Sequence, residues 1–289
     1  MTLEDKARAK LNLCLDVGGK LPDGYHAVRG IMQSTDFCDE VRLTPGERAG
    51  WLVRSDLSYL PTGETNLAAR AALLFRQETG QGTAGGLIEL KKRIPVCGGY
   101  GGGSSDAAAV LRIMNRLSGS PLSWAELEEL SLPLGVDVPF CIRGGTALAE
   151  GKGEKLTPLP AFDGRALVLC RPDFSCSTPQ LFKALDARKI RLRPDVGGMV
   201  RAIEEGDTAG AARRLFNVFE EVLPRKQQST VREIKDLLLG AGALGAAMTG
   251  SGSGIFGVFS DAAQAGEACA ALRGAGVACY TAQTTAQLV

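Results

Sequence analysis

Between Pro95 and Leu111 the chain reads PVCGGYGGGSSDAAAVL, with glycine at 98, 99, 101, 102 and 103 just before an alanine-rich run. Backbone without Cβ atoms can close around a group that ordinary backbone would exclude, and a helix starting there adds the partial positive charge of its N-terminus. Such a loop suits an anion of the phosphate kind; a bare strand-to-helix turn is the plainer alternative. It differs from the lysine-bearing phosphate loop, because Gly98 and Gly103 have the right separation but Ser104 stands in the lysine's place. Beyond it, Ala107, Val110, Leu111, Met114 and Leu117 recur on one helical face up to Ser118 and Gly119, where a left-handed cap can end the helix. Ser104 or Ser105 is the expected N-cap, with Asp106 in the first turn.

The flanking segments read as alternating strands and helices. KLNLCLDV has the period of a half-buried strand and DGYH the composition of a turn; GGLIELKK repeats the strand signal before the glycine loop. SWAELEELSLPLG predicts a helix capped by Ser123, and RALVLCRPD a buried strand. In the last third, STVREIKDLLLGAG and DAAQAGEACAALRGAG predict helices, GIFGVFS and ACYTAQT strands. The Gly- and Pro-rich EGKGEKLTPLPAFDG divides the chain near residue 155, which predicts an α+β fold of two domains, 1–155 and 156–289.

Composition limits the partners. Lys and Arg total 33 against 32 Asp and Glu, and no basic run exceeds Lys91 to Arg93, so a nucleic-acid footprint is not expected. No segment approaches the ~18 apolar residues of a membrane span, and the N-terminus lacks an apolar export core, so neither anchoring nor export is expected. The eight cysteines lie singly, without the paired spacing of a zinc or redox site, and read as reduced, mostly buried groups of a cytoplasmic protein.

Three further stretches carry chemistry. Alternation puts Lys10 and Asn12 on one strand face, opposite Leu11 and Leu13; taken by itself this segment is better read as a solvated face. His26, the chain's only histidine, is either a turn residue or the one imidazole available. Asp137 in GVDVPF is either a backbone cap or a carboxylate kept for reaction. A literal GxGxxG spans Gly252 to Gly257 in MTGSGSGIFGVF, but a helix precedes it and a strand follows, the reverse of a dinucleotide site. It remains a place for close backbone approach to a ligand or another strand.

AKLNL with DGYH, IPVCGGYGGGSSDAAA, LGVDVPF, STPQLF and MTGSGSGIFGVF, in that order, resemble the motifs of the GHMP kinases, and TNLAARAA and FNVFEEV extend the likeness over nearly the whole chain. The resemblance implies the two-domain GHMP fold with a ligand cleft between the domains, ATP as co-substrate and Mg²⁺ as cofactor. It also implies transfer of the γ-phosphoryl group to a tertiary 2-hydroxyl of a cytidine-diphosphate-linked small alcohol of non-mevalonate isoprenoid synthesis. Another small alcohol, or silent ligand binding, are the alternatives. Lys10 and Asp137 match the family's catalytic pair. Pro95, Gly98, Gly99, Gly101, Gly102, Gly103, Ser104 and Ser105 match its ATP loop, while Asn12, Tyr25, His26, Thr178 and Phe182 match substrate positions, with Tyr25 and Phe182 about the cytosine and His26 on its edge. Ser104, Ser105 and Asp106 are candidates for Mg²⁺, and a monomer or homodimer is expected. Family members usually carry glycine at Cys97 and leucine at Tyr100. Cys97 should strain the loop if its φ is positive, and Tyr100 should add bulk beside the phosphates or the adenine.

Overall fold

The computed structural model describes residues 1–47 and 49–288. In chain order the elements are β1 (Leu3–Lys20), β2 (His26–Pro45), β3 (Gly50–Ser55), α1 (Leu67–Thr79), β4 (Gly85–Lys91), α2 (Gly102–Leu117), α3 (Trp124–Ser131), α4 (Val138–Arg143), β5 (Thr146–Glu150) and β6 (Lys155–Pro158). They continue with β7 (Ala166–Arg171), α5 (Thr178–Asp186), α6 (Val196–Glu204), α7 (Thr208–Arg213), β8 (Phe216–Asn217), α8 (Arg225–Gly240), β9 (Gly245–Met248), β10 (Ile255–Phe259), α9 (Ala262–Gly274) and β11 (Ala278–Gln283). The molecule is α+β, built on two sheets. One runs β3-β4-β2-β1-β8, with β5 also on β2 and β6 on β5; the other runs β11-β7-β10-β9.

Period-2 alternation decides what each sheet face buries. In β7, Leu167 and Leu169 point to a core shared with Leu11, Leu13 and Ile31 of the first sheet. Ala166, Val168 and Cys170 point the other way, to the core that includes Leu238 of α8 and Leu272 of α9. On the first sheet, Val41, Leu43, Ile88 and Leu90 pack under the alanine-rich faces of α1 and α2. The predicted Ser123 cap is present, forming a reciprocal capping box with Glu126 on α3, and Asn66 also caps α1, accepting from the Ala68 amide.

Three local expectations are corrected. Helix α2 begins at Gly102, with Gly101 as N-cap at φ 72°, so both serines lie inside the helix and neither caps it. Asp106 falls beyond the first turn and is buried. The cysteines, solitary in sequence, are not all so in space: the Cys269 and Cys279 sulfurs are 3.3 Å apart, and Cys279 faces Cys170 across the β7–β11 ladder. All eight are free thiols, with Cys97 exposed.

Candidate active site

The two glycine runs lie backbone against backbone. The Gly254 amide donates to the Gly98 carbonyl at 2.9 Å, and a Cβ on Gly99 would run into the Thr249 carbonyl oxygen. The close approach left open for the GxGxxG stretch is therefore to this loop. Tyr100 pins the loop from below: its hydroxyl donates to the Cys170 carbonyl at 2.7 Å and the Ile255 carbonyl at 3.0 Å, with the ring buried in the core between the sheets. Burial raises its phenol well above the usual range, so it remains a donor. The bulk expected beside the phosphates or the adenine is instead buried between the sheets as an anchor for the loop. Cys97 is held at φ 58°, in the left-handed region, so the expected strain is present.

In front of the loop lies a hollow of about 370 Å³, lined by Asn66, Lys92, Pro95, Gly98, Gly103 and Ser104 among others. Around Gly103 there is open space where a Cβ would stand. The Ser104 hydroxyl makes no hydrogen bond among the described residues, whereas the Ser105 hydroxyl donates to the Arg8 carbonyl at 2.6 Å and is committed to the fold. A second hollow, about 410 Å³, lies beside Arg112 and Trp124. Arg112 is spent there on Asp5 and on the carbonyls of Lys6, Cys141 and Ile142, which leaves little to bind with.

Lys10 passes directly beneath the loop. A Cβ on Gly101 would come within 2.8 Å of its Cγ, so glycine is required for the lysine stem to fit. The ammonium donates to Asn12 Oδ1 at 2.8 Å and lies 3.3 Å from Asp137 Oδ2. With Lys10 at 4% and Asn12 at 2% exposure, this is a buried polar face, and the solvated alternative is excluded. Asn12 is itself fixed by its backbone N–H, which donates to Thr249 Oγ1 at 3.0 Å. Asp137 occupies the N-cap position of α4, yet its side chain caps no backbone amide. Its carboxylate is thus free for Lys10 and for whatever enters from solvent.

Under the start of α2, Lys92 reaches both Asp39 and Asp106, and all three side chains are almost completely buried. Asp39 also accepts from the Arg93 and Ile94 amides, fixing the segment that leads into the loop. Burial, only partly countered by Lys92, pushes the Asp106 carboxyl up to about 7. Its Oδ2 is taken by Lys92 and its Oδ1 is buried without a partner.

Tyr25, His26 and Phe182 gather at the far end of the β1–β2 hairpin. Gly24, at φ 86°, turns DGYH back into β2. The His26 ring stacks on Phe182, centroids 4.7 Å apart and 18° between planes; Phe182 meets Phe219 edge-on at 5.1 Å. Tyr25 is exposed, with Lys152 Nζ 4.7 Å from its ring centre, so the aromatic seated on Phe182 here is His26. Thr178 joins Ser251 of the second glycine run, oxygen to oxygen at 2.7 Å. Sequence reasoning missed Thr249, Asn217 and Lys92. Asn217 donates to the carbonyls of Met248 and Gly250, holding the second glycine run in place. Lys92 sits in a basic run that reads as surface charge, and nothing local distinguishes it.

Models of known families match the chain twice: GHMP kinases N terminal domain over residues 66–145 and GHMP kinases C terminal over residues 199–278. A Clostridium botulinum protein named 4-diphosphocytidyl-2-C-methyl-D-erythritol kinase is 43% identical over 256 residues, covering 89% of this chain and 90% of that one. One of the same name from Acetivibrio thermocellus is 43% identical over 283 residues, covering 96% and 98%. A crystal structure of 4-(cytidine 5'-diphospho)-2C-methyl-D-erythritol kinase superposes with a TM-score of 0.81 at 31% identity, covering 98% of this chain and 99% of the other. With its motifs, its two sheets and these relatives in agreement, the chain belongs to the GHMP kinase family.

Proposed function

We propose that the protein transfers the γ-phosphoryl group of ATP to the 2-hydroxyl of 4-diphosphocytidyl-2-C-methyl-D-erythritol, giving the 2-phosphate and ADP. The observation that carries the chemistry is the Lys10–Asp137 pair, 3.3 Å apart under an open glycine loop, with the carboxylate uncapped; the relatives' names supply the substrate.

Phosphoryl transfer asks a protein for in-line positioning and for charge stabilisation more than for covalent help. The tertiary hydroxyl is hindered, so a base at its proton matters. Asp137 accepts that proton, and Lys10 orients the carboxylate and offsets charge near the γ-phosphate. Pro95, Gly98, Gly99, Gly101, Gly102, Gly103, Ser104 and Ser105 form the ATP loop: bare backbone and the α2 N-terminus hold the phosphates, and Ser105 acts through its bond to Arg8. Asn12, Tyr25, His26, Thr178 and Phe182 take the cytidine-bearing substrate, base-on-aromatic stacking contributing about 1–3 kcal/mol per contact.

Among the described residues no group of three His, Cys, Asp or Glu is arranged to hold a metal. That fits Mg²⁺ carried on nucleotide phosphates, which needs few protein oxygens. The Ser104 hydroxyl and the unpartnered Asp106 Oδ1 are the oxygens that would be offered, whereas the Ser105 hydroxyl and Asp106 Oδ2 are occupied. Bound there with the nucleotide, Mg²⁺ would supply positive charge to offset that of the transferring phosphate. The same reading divides the chain into domains 1–155 and 156–289, supported by the passage between the sheets from β6 to β7. It takes the protein as a monomer or homodimer of the cytoplasm, the compartment alone being supported by the eight free thiols. No helix among the described residues is long and apolar enough to cross a membrane.

ADP release with the diphosphocytidyl substrate, mevalonate and homoserine tests the reading; release with only one of the latter two overturns it. Asp137→Asn should lower kcat by about 10²–10⁴. Because the buried Lys10 ammonium loses its counter-charge, the thermal midpoint should fall as well, so turnover is compared at a temperature where both proteins are folded. Full turnover in the variant would remove Asp137 from the reaction.

A further inference from the structure

Helix α5 places Thr178, Phe182 and Asp186 four residues apart, on one stripe. Thr178 meets Ser251 and Phe182 carries the His26 ring. Asp186, absent from the sequence reading, completes the stripe: its Oδ1 is 2.7 Å from His26 Nε2 and its Oδ2 2.9 Å from Lys20 Nζ. The His26 side chain is only 8% exposed, so ring stacking and carboxylate together leave it one orientation. The hydrogen bonds from His26 and then Lys20 hold the Asp186 carboxyl below its ordinary range. A carboxylate kept ionised by a lysine can only accept, so Nε2 must carry the proton facing it. In the neutral ring Nδ1 is then a lone-pair acceptor, with no partner among the described residues.

We infer that Asp186 is a positioning residue for base selection: through His26 Nε2–H it fixes the imidazole tautomer whose Nδ1 accepts from the 4-amino group of cytosine and opposes the 4-oxo group of uracil. This rests on His26 facing the cytosine in the proposed reaction. Cytosine offers a donor at that position and uracil an acceptor, so an acceptor fixed in advance favours one and repels the other. Lys20 serves by keeping the carboxylate an acceptor.

The test uses the full-length protein with CDP and UDP as probes, so that it does not depend on turnover. In the parent, CDP should bind about tenfold or more tighter than UDP. Asp186→Asn offers an amide that can donate as well as accept, which permits the other tautomer. The CDP-to-UDP preference should fall to about threefold or less, with ATP affinity unchanged. Since His26 is the only histidine, its ¹⁵N shifts report the tautomer without assignment: Nε2–H in the parent, with substantial Nδ1–H in Asp186→Asn. Asp186→Glu, which restores an acceptor, should recover both signals at least in part. An unchanged tautomer, a preference that survives the amide, or a parent that does not favour CDP each overturns the inference. If CDP preference and tautomer behave as expected but no ADP is released with the diphosphocytidyl substrate, the proposed reaction fails while the role of Asp186 stands.

Discussion

Asp106 shows what a single buried carboxylate does to this protein. Two acids, Asp39 and Asp106, share the one ammonium of Lys92 in a region from which water is excluded, and Asp106 is the one whose charge is poorly supported, with its carboxyl raised to about 7. Its folded value lies above the ordinary carboxylate value of 3.8. The folded state therefore binds the proton more tightly than the unfolded chain does. Its stabilising contribution is complete below about pH 4 and is lost as pH rises through about 7. Asp106→Asn, neutral throughout, should escape that loss while Lys92 keeps Asp39. Urea unfolding at about pH 5 and pH 8 should show the variant gaining on the parent at the higher pH. A difference that does not change with pH would mean that Asp106 does not titrate in this window. Tyr100 makes the complementary point, since the same burial that raises its phenol keeps it a donor to two carbonyls of the second sheet.

At the scale of elements, the glycine loop before α2 depends on contact with a segment about 150 residues later in the chain. Gly99 and Gly103 are both glycines of one run, but they differ in what surrounds them. Gly99, at φ 75°, faces the Thr249 carbonyl, whereas Gly103 lies within α2 with open space before it. Gly99→Ala should cost more than about 2 kcal/mol, from steric displacement and the left-handed backbone together. Gly103→Ala should stabilise by about 0.5–1 kcal/mol, the helical advantage of alanine over glycine. Opposite signs in urea denaturation would bear out the contact; equal effects would show the loop to be independent of the second glycine run. This also explains how much could be read from sequence. Strands β1, β4, β7, β10 and β11, the α2 face and the Ser123 cap follow from spacing of neighbouring residues, whereas Lys10, Asn12 and Asp137 are singled out only by the family resemblance. The direction of Tyr100, the partner of Ser105, the burial of Lys92 and the place of Asp186 depend on residues distant in the chain. Helical i, i+4 spacing from Phe182 was the one local signal that could have found Asp186.

The whole molecule is more unified than a two-domain division suggests. Leu11, Leu13, Ile31 and Tyr100 pack with Leu167, Leu169, Phe256 and Val258 in one core between the sheets. Strand β8 returns to pair with β1, Cys14 beside Phe216, and the chain end comes back to Thr35 and Gly144 through isolated bridges from Thr284 and Gln287. The site inherits this arrangement, since Lys10 and Tyr100 belong to the first half while Thr249 and the Tyr100 acceptors belong to the second. A fragment ending after Pro158 would keep β1 to β6 and the glycine loop but expose the inner face of the first sheet. Four large side chains at about 2 kcal/mol each amount to roughly 8 kcal/mol, comparable to the 5–15 kcal/mol that holds a typical domain folded. Residues 1–158 alone should therefore show no cooperative urea transition. The full chain should unfold in a single step, with far- and near-ultraviolet circular dichroism coinciding. A sharp transition in the fragment would show that α1, α2 and the first sheet suffice without the shared core. Its absence would mean that the glycine loop acquires its shape only when both halves of the chain are present.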